Sequence, residues 1–432
     1  MKRYQAAGEK TRNIPAIEGS LAEQLYKAPD WQKLLSAPVL VAALGYFVDI
    51  YDLLLFGIVR IPSLTEMGLN EEQVSRVGTA ILNWQMTGLL LGGILWGVLG
   101  DKKGRLSVLF GSIITYSLAN LACGFVQDPD TYKLLRFIAG VGLAGELGAG
   151  ITLVSEVLPK RLRAIGTSLV AGVGLCGAVV AYFTVEFFKW RTAYFIGGGM
   201  GITLLLLRVG VFESGMFKNM AHGGVSKGNF FAFFTNRRRF WLYLKCIGIG
   251  MPTWFVIGIL STFSNEIGKA LGIVEPIRPG LTIMWCYVGL AAGDLASGFI
   301  SHRLQSRKKA VALLMMFTLV GSLVYLFGGL RSASWLYAVC GAMGFGIGYW
   351  AMFVTIAAEQ FGTNLRATAA TTVPNMVRGT VVGMTLLYGN LKITEGVITS
   401  VAIVGAICFF IGMVSILTVP ETHNRELDFL EH

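Results

Sequence analysis

Charge is scarce in this chain. Asp, Glu, Lys and Arg together make up 14% of it, against 54% apolar residues. So few ionic groups cannot solvate a soluble surface, and a mean hydropathy of +0.63 excludes a soluble domain. Histidine is scarcer still. His222, His302, His423 and His432 all fall in loops or at helix ends, which leaves no buried imidazole for a proton relay. The six cysteines, Cys123, Cys176, Cys246, Cys286, Cys340 and Cys408, lie in apolar runs without a C-x-x-C, so they read as small packing residues rather than disulfides or metal ligands. There is no Walker loop and no H-E-x-x-H, so the chain shows no ATP-driven energy source. No nucleophile sits beside a base and no metal cluster is evident, so the chain reads as no enzyme and no cofactor is expected. Alternating ten-residue strands are missing too, which excludes an outer-membrane barrel. No cleavable signal peptide is expected, because residues 1–37 are polar and the first apolar run is too long for a signal core.

What the chain has is apolar length. Twelve runs, at 38–59, 74–99, 106–126, 132–158, 164–187, 192–211, 241–264, 280–301, 309–330, 334–358, 366–389 and 397–418, approach the roughly 20 residues that a helix needs to cross a bilayer core. Many of the 55 glycines fall inside them, where small residues let membrane helices approach closely. These runs predict an all-α membrane protein with twelve transmembrane helices in two pseudo-symmetric six-helix bundles. The expected divisions are an N-terminal segment 1–37, a first bundle 38–211, a linker 212–240, a second bundle 241–418 and a tail 419–432. Lys102, Lys103 and Arg105, then Lys160, Arg161 and Arg163, then Arg303, Arg307, Lys308 and Lys309 crowd alternate turns. The positive-inside rule places both termini in the cytoplasm, in a bacterial inner membrane. The net charge of +11 is therefore a topology signal and not a nucleic-acid footprint. The expected partners are the lipid bilayer, a small-molecule substrate and protons, with the chain acting as a monomer.

The chain also repeats itself. Glu156-Val-Leu-Pro-Lys-Arg-Leu-Arg163-Ala164 is echoed by Glu359-Gln-Phe-Gly-Thr-Asn-Leu-Arg366-Ala367. Val211-Phe212-Glu213-Ser214 is echoed by Val419-Pro420-Glu421-Thr422. Two copies of one membrane bundle suggest a machine that rocks one half against the other, which is the logic of secondary transport.

The turn after the second run reads Gly97-Val-Leu-Gly100-Asp101-Lys-Lys-Gly104-Arg105, and the fourth run reads Arg136-Phe-Ile-Ala-Gly140-Val-Gly142. Both resemble signatures of the major facilitator superfamily. The spacing from Arg136 through Glu156 to Arg163, and the tail Pro420-Glu421-Thr422 with Leu427 and Glu431, resemble its sugar-porter branch. The resemblance covers essentially the whole chain. It implies a cytoplasmic ionic latch of Asp101, Arg105, Glu156 and Arg163 in the first half, and of Lys308, Glu359 and Arg366 in the second, with Glu213 and Glu421 closing the two halves. The second latch departs from the family pattern, because the turn Ser301-His302-Arg303-Leu-Gln-Ser-Arg307-Lys308 lacks an acid and so leans on Glu421.

Ionisable groups inside the runs are functional candidates, since each costs at least ~2.5–3.5 kcal/mol near a bilayer centre. Asp49 and Asp52 stand three apart on one face of the first run. Two such carboxylates in low dielectric cannot both ionise cheaply, which suits a proton site. Asp49-Ile-Tyr51-Asp52 resembles the first helix of phosphate:proton and metabolite:proton symporters. The resemblance makes Arg136 the partner whose contact with the helix-1 acid depends on protonation. Glu146 resembles an acid of the metabolite symporters, and reads as a second proton site, a substrate ligand or an inter-helix bond. Arg378 lies twelve residues beyond Arg366, about 18 Å along a helix, hence near the midplane. A permanently charged fork there suits a carboxylate or phosphate, and the spacing resembles organic-anion members of the organic-ion transporter family. Its alternative is a fixed ion pair with Asp294 or another buried acid. Trp254, Trp285, Tyr349, Trp350 and Tyr388 are candidates to line the cavity. The seventh run lacks the Gln-Gln pair of sugar porters, which weakens a sugar substrate. The reading is a secondary transporter for a small organic solute, an anion favoured over a sugar or phosphate, by proton symport; the alternatives are uniport or proton antiport on the same frame and, from another class, a sensor or membrane enzyme.

Overall fold

The computed structural model describes residues 29–103, 105–146, 148, 150, 154, 158, 159, 162–213 and 230–423, with backbone alone at 100–103, 105–107, 163–165, 168, 210–213, 363, 364 and 367. Among the described residues all regular structure is helical. The spans are α1 (Ala37–Glu66), α2 (Glu71–Lys103), α3 (Arg105–Cys123), α4 (Pro129–Leu143), α5 (Arg163–Phe187), α6 (Trp190–Glu213), α7 (Arg237–Phe255), α8 (Pro279–Leu304), α9 (Arg307–Phe327), α10 in two arms (Ala333–Gly346 and Trp350–Glu359), α11 (Thr363–Glu395) and α12 (Val397–Thr418). They form the expected twelve-helix membrane fold in two six-helix halves. Among the described residues, nine helices are long and apolar enough to cross a membrane. The 33-residue α11 is not one of them, because Thr368, Thr371, Thr372, Asn375 and Arg378 interrupt it.

Helix starts follow local chemistry. Asp128 caps α4 through the N–H groups of Asp130 and Thr131, at 3.1 and 2.8 Å. Asn236, Ser306 and Ser332 do the same for α7, α9 and α10. Each replaces a backbone acceptor that the first turn lacks. Gly396, at φ 79°, turns the chain between α11 and α12 in a conformation that a side chain would strain.

The two halves break their helices at equivalent places. The helix of α4 stops at Leu143, and a turn at Ala144 and Gly145 precedes Glu146. In α10 the break follows Gly346 and ends at Trp350. Leu143 and Gly346 are separated by the same interval as Glu156 and Glu359, so the repeat governs backbone shape as well as sequence. α7 also loosens, into a π-helix at Val256–Ser261 just beyond Pro252. Within each half, the even-numbered pair α2–α4 or α8–α10 packs backbone to backbone. A methyl on Gly293 of α8 would strike the backbone of Phe345 and Gly348, the close approach that drives association in lipid. The halves meet along α2–α11 and α5–α8, with α1 against α8. Below, the proximal end is where α1 begins and α12 finishes. The distal end carries the α1–α2, α7–α8 and α11–α12 turns.

Candidate functional site

Among the described residues, four arginines, Arg60, Arg136, Arg208 and Arg378, are among the largest fully buried side chains. A guanidinium cannot shed its charge, so each burial demands a compensating set of acceptors. Arg136 is well supplied and Arg208 is held by a carboxylate fork. Arg60 and Arg378 keep buried donors without an acceptor, and Arg378 is at the seam between the halves.

Arg378 projects from α11 with 1% of its side chain exposed. Its Nη2 lies 3.8 Å from Oδ2 of Asp49 on α1, whose side chain is fully buried. That separation is an ion pair but too long for a hydrogen bond. Neither oxygen of Asp49 has a hydrogen-bond partner, and Nε of Arg378 has none. The remaining support is thin. Nη1 donates to Oδ1 of Asn375 on the same helix at 3.3 Å, and the guanidinium stands 5.8 Å over the ring of Trp254. Trp350 meets Trp254 edge to face, at 6.4 Å between centroids. Asn375 itself links the halves, donating to the carbonyl of Ala144 at the α4 break at 2.8 Å.

Asp49 and Asp52 share a helix face but not an environment. Oδ1 of Asp52 lies against Gly197 of α6, inside the first half. Arg136 donates to Oδ1 of Asn120 at 2.8 Å, to Oε1 of Gln85 at 3.3 Å and to the main-chain carbonyl of Asp52 at 3.0 Å. The contact with Asp52 thus runs through the backbone and not through the carboxylate. Glu146 makes a forked pair with Arg208 of α6, both 1% exposed. Of its three readings, the geometry supplies the inter-helix bond.

Several predicted site residues sit elsewhere. Asp294 accepts the N–H of Ala351 at 3.1 Å and so caps the second arm of α10; no salt bridge joins it to Arg378. Trp285 is 43% exposed, on the same outer stripe of α8 as Val288, Leu295 and Phe299, away from the buried seam. Tyr349 donates to the carbonyl of Ile249 at 3.2 Å and braces α10 against α7. Tyr388 belongs to the distal end, where its hydroxyl meets Glu266 at 3.2 Å.

A profile described as Major Facilitator Superfamily matches residues 42–391. The chain belongs to that superfamily. A Bacillus subtilis protein provisionally described as a niacin/nicotinamide transporter is 24% identical over 90% of this chain and 96% of its own length. The gentisate transporter of Corynebacterium glutamicum is 24% identical over 65% of this chain and 66% of its own. A solved xylose–proton symporter superposes with a TM-score of 0.68 at 14% identity, covering 92% of this chain and 98% of that one, which shows the fold. The superfamily and these relatives are transporters and not enzymes, so this chain is a multi-pass membrane protein that moves small molecules.

Both ends of the molecule carry ionic contacts. At the proximal end Glu359 of α10 pairs with Arg307, not with the expected Lys308, whose Nζ reaches the carbonyl of Leu417 at 2.9 Å. The reason is register: Arg307 is the first residue of α9 and faces α10, whereas Lys308 turns toward α12. Glu421 accepts from the Ser306 hydroxyl and from the N–H groups of Arg307 and Lys308, clamping the tail to the start of α9. Arg366 lies half-buried in the first turn of α11. The side chains of Asp101, Arg105, Glu156, Arg163 and Glu213 lie outside the described residues. At the distal end Arg60, Glu266 and Lys392 form a cluster that sequence reasoning missed. Arg60 reads as a turn residue if the first run stops at Val59, but α1 continues to Glu66 and carries it inside. Arg208 was legible by the rule that singled out Glu146: a lone charge after four leucines in an apolar run.

Proposed function

We propose that this protein is a proton-coupled symporter of a small organic anion, a carboxylate, working by alternating access as a monomer in a bacterial cell membrane with both termini cytoplasmic. The observation that carries the reading is the loose pair of Arg378 and Asp49 across the seam. Arg378 faces an acid it does not hydrogen-bond and keeps Nε free, so a substrate carboxylate can outbid Asp49 by offering two in-line acceptors. Trp254 and Trp350 beside it suit an aromatic ring. The relatives' named cargoes, niacin and gentisate, fit that chemistry.

Coupling then follows from charge balance. In the empty carrier Asp49 and Arg378 neutralise each other. With substrate bound, the carboxylate neutralises Arg378, and Asp49 must take a proton or remain as an unpaired buried anion. Half-loaded states hold an uncompensated charge in low dielectric, which is strongly unfavourable. Only the empty and fully loaded carriers rock readily, so proton and anion move together. Arg136 and Glu146–Arg208 hold α1, α4 and α6 as one body, and Asp52 is the second acid within it.

The test is uptake of labelled nicotinate and gentisate into liposomes under an imposed pH gradient. Accumulation above equilibrium is expected for at least one. Asp49→Asn should lose accumulation while keeping exchange of substrate for substrate. Equal uptake with and without the gradient in the wild type would overturn proton coupling.

A further inference from the structure

The distal cluster does more than tie the halves together. Nη2 of Arg60 donates to the carbonyl of Thr262 at 3.0 Å and to Oδ1 of Asn265 at 3.1 Å, and its guanidinium stacks 4.6 Å from the ring of Phe263. Its Nη1 is 3.9 Å from Glu266, beyond hydrogen bonding, and both Nη1 and Nε are buried without an acceptor. Lys392 donates to Glu266 at 2.6 Å, and the Tyr388 hydroxyl does so at 3.2 Å. Two cations and a phenol therefore converge on one carboxylate. Arg60, Glu266, Tyr388 and Lys392 also line a cavity of about 1050 Å³ at this end. A buried Arg with two unmet donors, held flat by a ring and bordering a cavity, is a carboxylate receptor occupied only loosely by its own acid.

We infer that this cluster is a second carboxylate site, which takes an organic anion on its way between the cavity and the central seam. Arg60 and Lys392 bind the ligand's carboxylate in place of Glu266, which acts as an internal stand-in. The exchange loosens the link from α1 to the segment after α7, so occupancy and distal opening are tied. This inference rests on the organic-anion reading above.

A reporter tests it. Thr79 lines the same cavity. Thr79→Cys is placed in a chain whose one exposed cysteine, Cys176, is changed to Ser. Labelling by a hydrophilic maleimide is followed in nanodiscs against nicotinate concentration. Nicotinate should slow labelling. Glu266→Gln, which keeps the shape and removes the competing charge, should lower the half-protecting concentration by about tenfold, the scale of one charge-assisted bond. Arg60→Gln and the more exposed Lys392→Gln should raise it by about as much. Protection should survive Arg378→Ala. Absent protection in the wild type, loss of protection in Arg378→Ala, or shifts of the same direction in Glu266→Gln and Lys392→Gln would each overturn the inference. The last pattern is that of a lock that merely opens. Protection without any nicotinate uptake would sink the central-site reading alone, and uptake without protection would sink this one alone.

Discussion

Removing Asp49 and removing Arg378 should not be equivalent, and the difference reports which of them a ligand replaces. The two charges are 3.8 Å apart with 0% and 1% exposure. At an effective dielectric of ~20 their attraction is about 4 kcal/mol. Deleting one partner of such a pair typically costs about 3–5 kcal/mol, because the other is left buried and charged. Asp49 can discharge itself by taking a proton, whereas Arg378 cannot. Arg378→Met should therefore be mild in thermal unfolding, and Asp49→Asn should be severe. The double change Asp49→Leu with Arg378→Met should return close to wild type, since both charges go together. The bare Arg378 of Asp49→Asn should then be rescued by ligand. A carboxylate at 100 times its Kd restores about 2.7 kcal/mol, and nicotinate and gentisate should do so in Asp49→Asn but not in Arg378→Met. Melting of purified protein in detergent, with and without these acids, measures all four forms. Equal destabilisation by the two single changes, with no anion rescue of Asp49→Asn, would mean that the pair is a structural tie and not a binding site.

Two further outcomes follow from contacts outside the seam. Glu146→Leu should destabilise the first half by about 3–5 kcal/mol by stranding Arg208, which cannot discharge itself. Arg208→Met should cost less because Glu146 can take a proton, and the double change Arg208→Met with Glu146→Leu should recover stability in the same melting assay. Burial pushes the Glu421 carboxyl up, but the Ser306 hydroxyl and the N–H groups of His423, Lys308 and Thr422 outweigh it and hold the group below its ordinary 4.5. With the folded value depressed, its contribution is fully present above the ordinary carboxylate range and fades only as pH falls through the lower folded value. Proteolysis of the tail should therefore be independent of pH from neutrality down to about 5, and Glu421→Gln should speed it throughout that range. A rise in tail cleavage of the wild type between pH 7 and 5 would contradict this.

The sequence by itself determined the fold class and the family. Twelve apolar runs, alternate basic turns and an internal repeat are local or periodic signals, and the bilayer leaves a chain of such runs few alternatives to helices. It also determined which residues carry unusual cost. Asp49, Asp52, Arg136, Glu146 and Arg378 are charges within apolar runs, and each is buried here. Only the tertiary structure decided who meets whom. Arg378 finds Asp49 across the seam and not Asp294, because α1 and α11 meet at the interface of the halves while Asp294 is taken up capping the break in α10. Glu359 finds Arg307 and not Lys308, because one residue of helical register swings the side chain by about 100°. Trp285 leaves the site for the same reason, its position on α8 pointing outward. Arg60 was hidden by a boundary: its charge reads as the end of a run, and only the contacts supplied by Thr262, Asn265 and Glu266, some two hundred residues away, allow α1 to carry it inward. Periodicity is written along one helix, but the partner of a buried charge is set by how helices from distant parts of the chain are rotated against each other, and that rotation is a property of the packed whole.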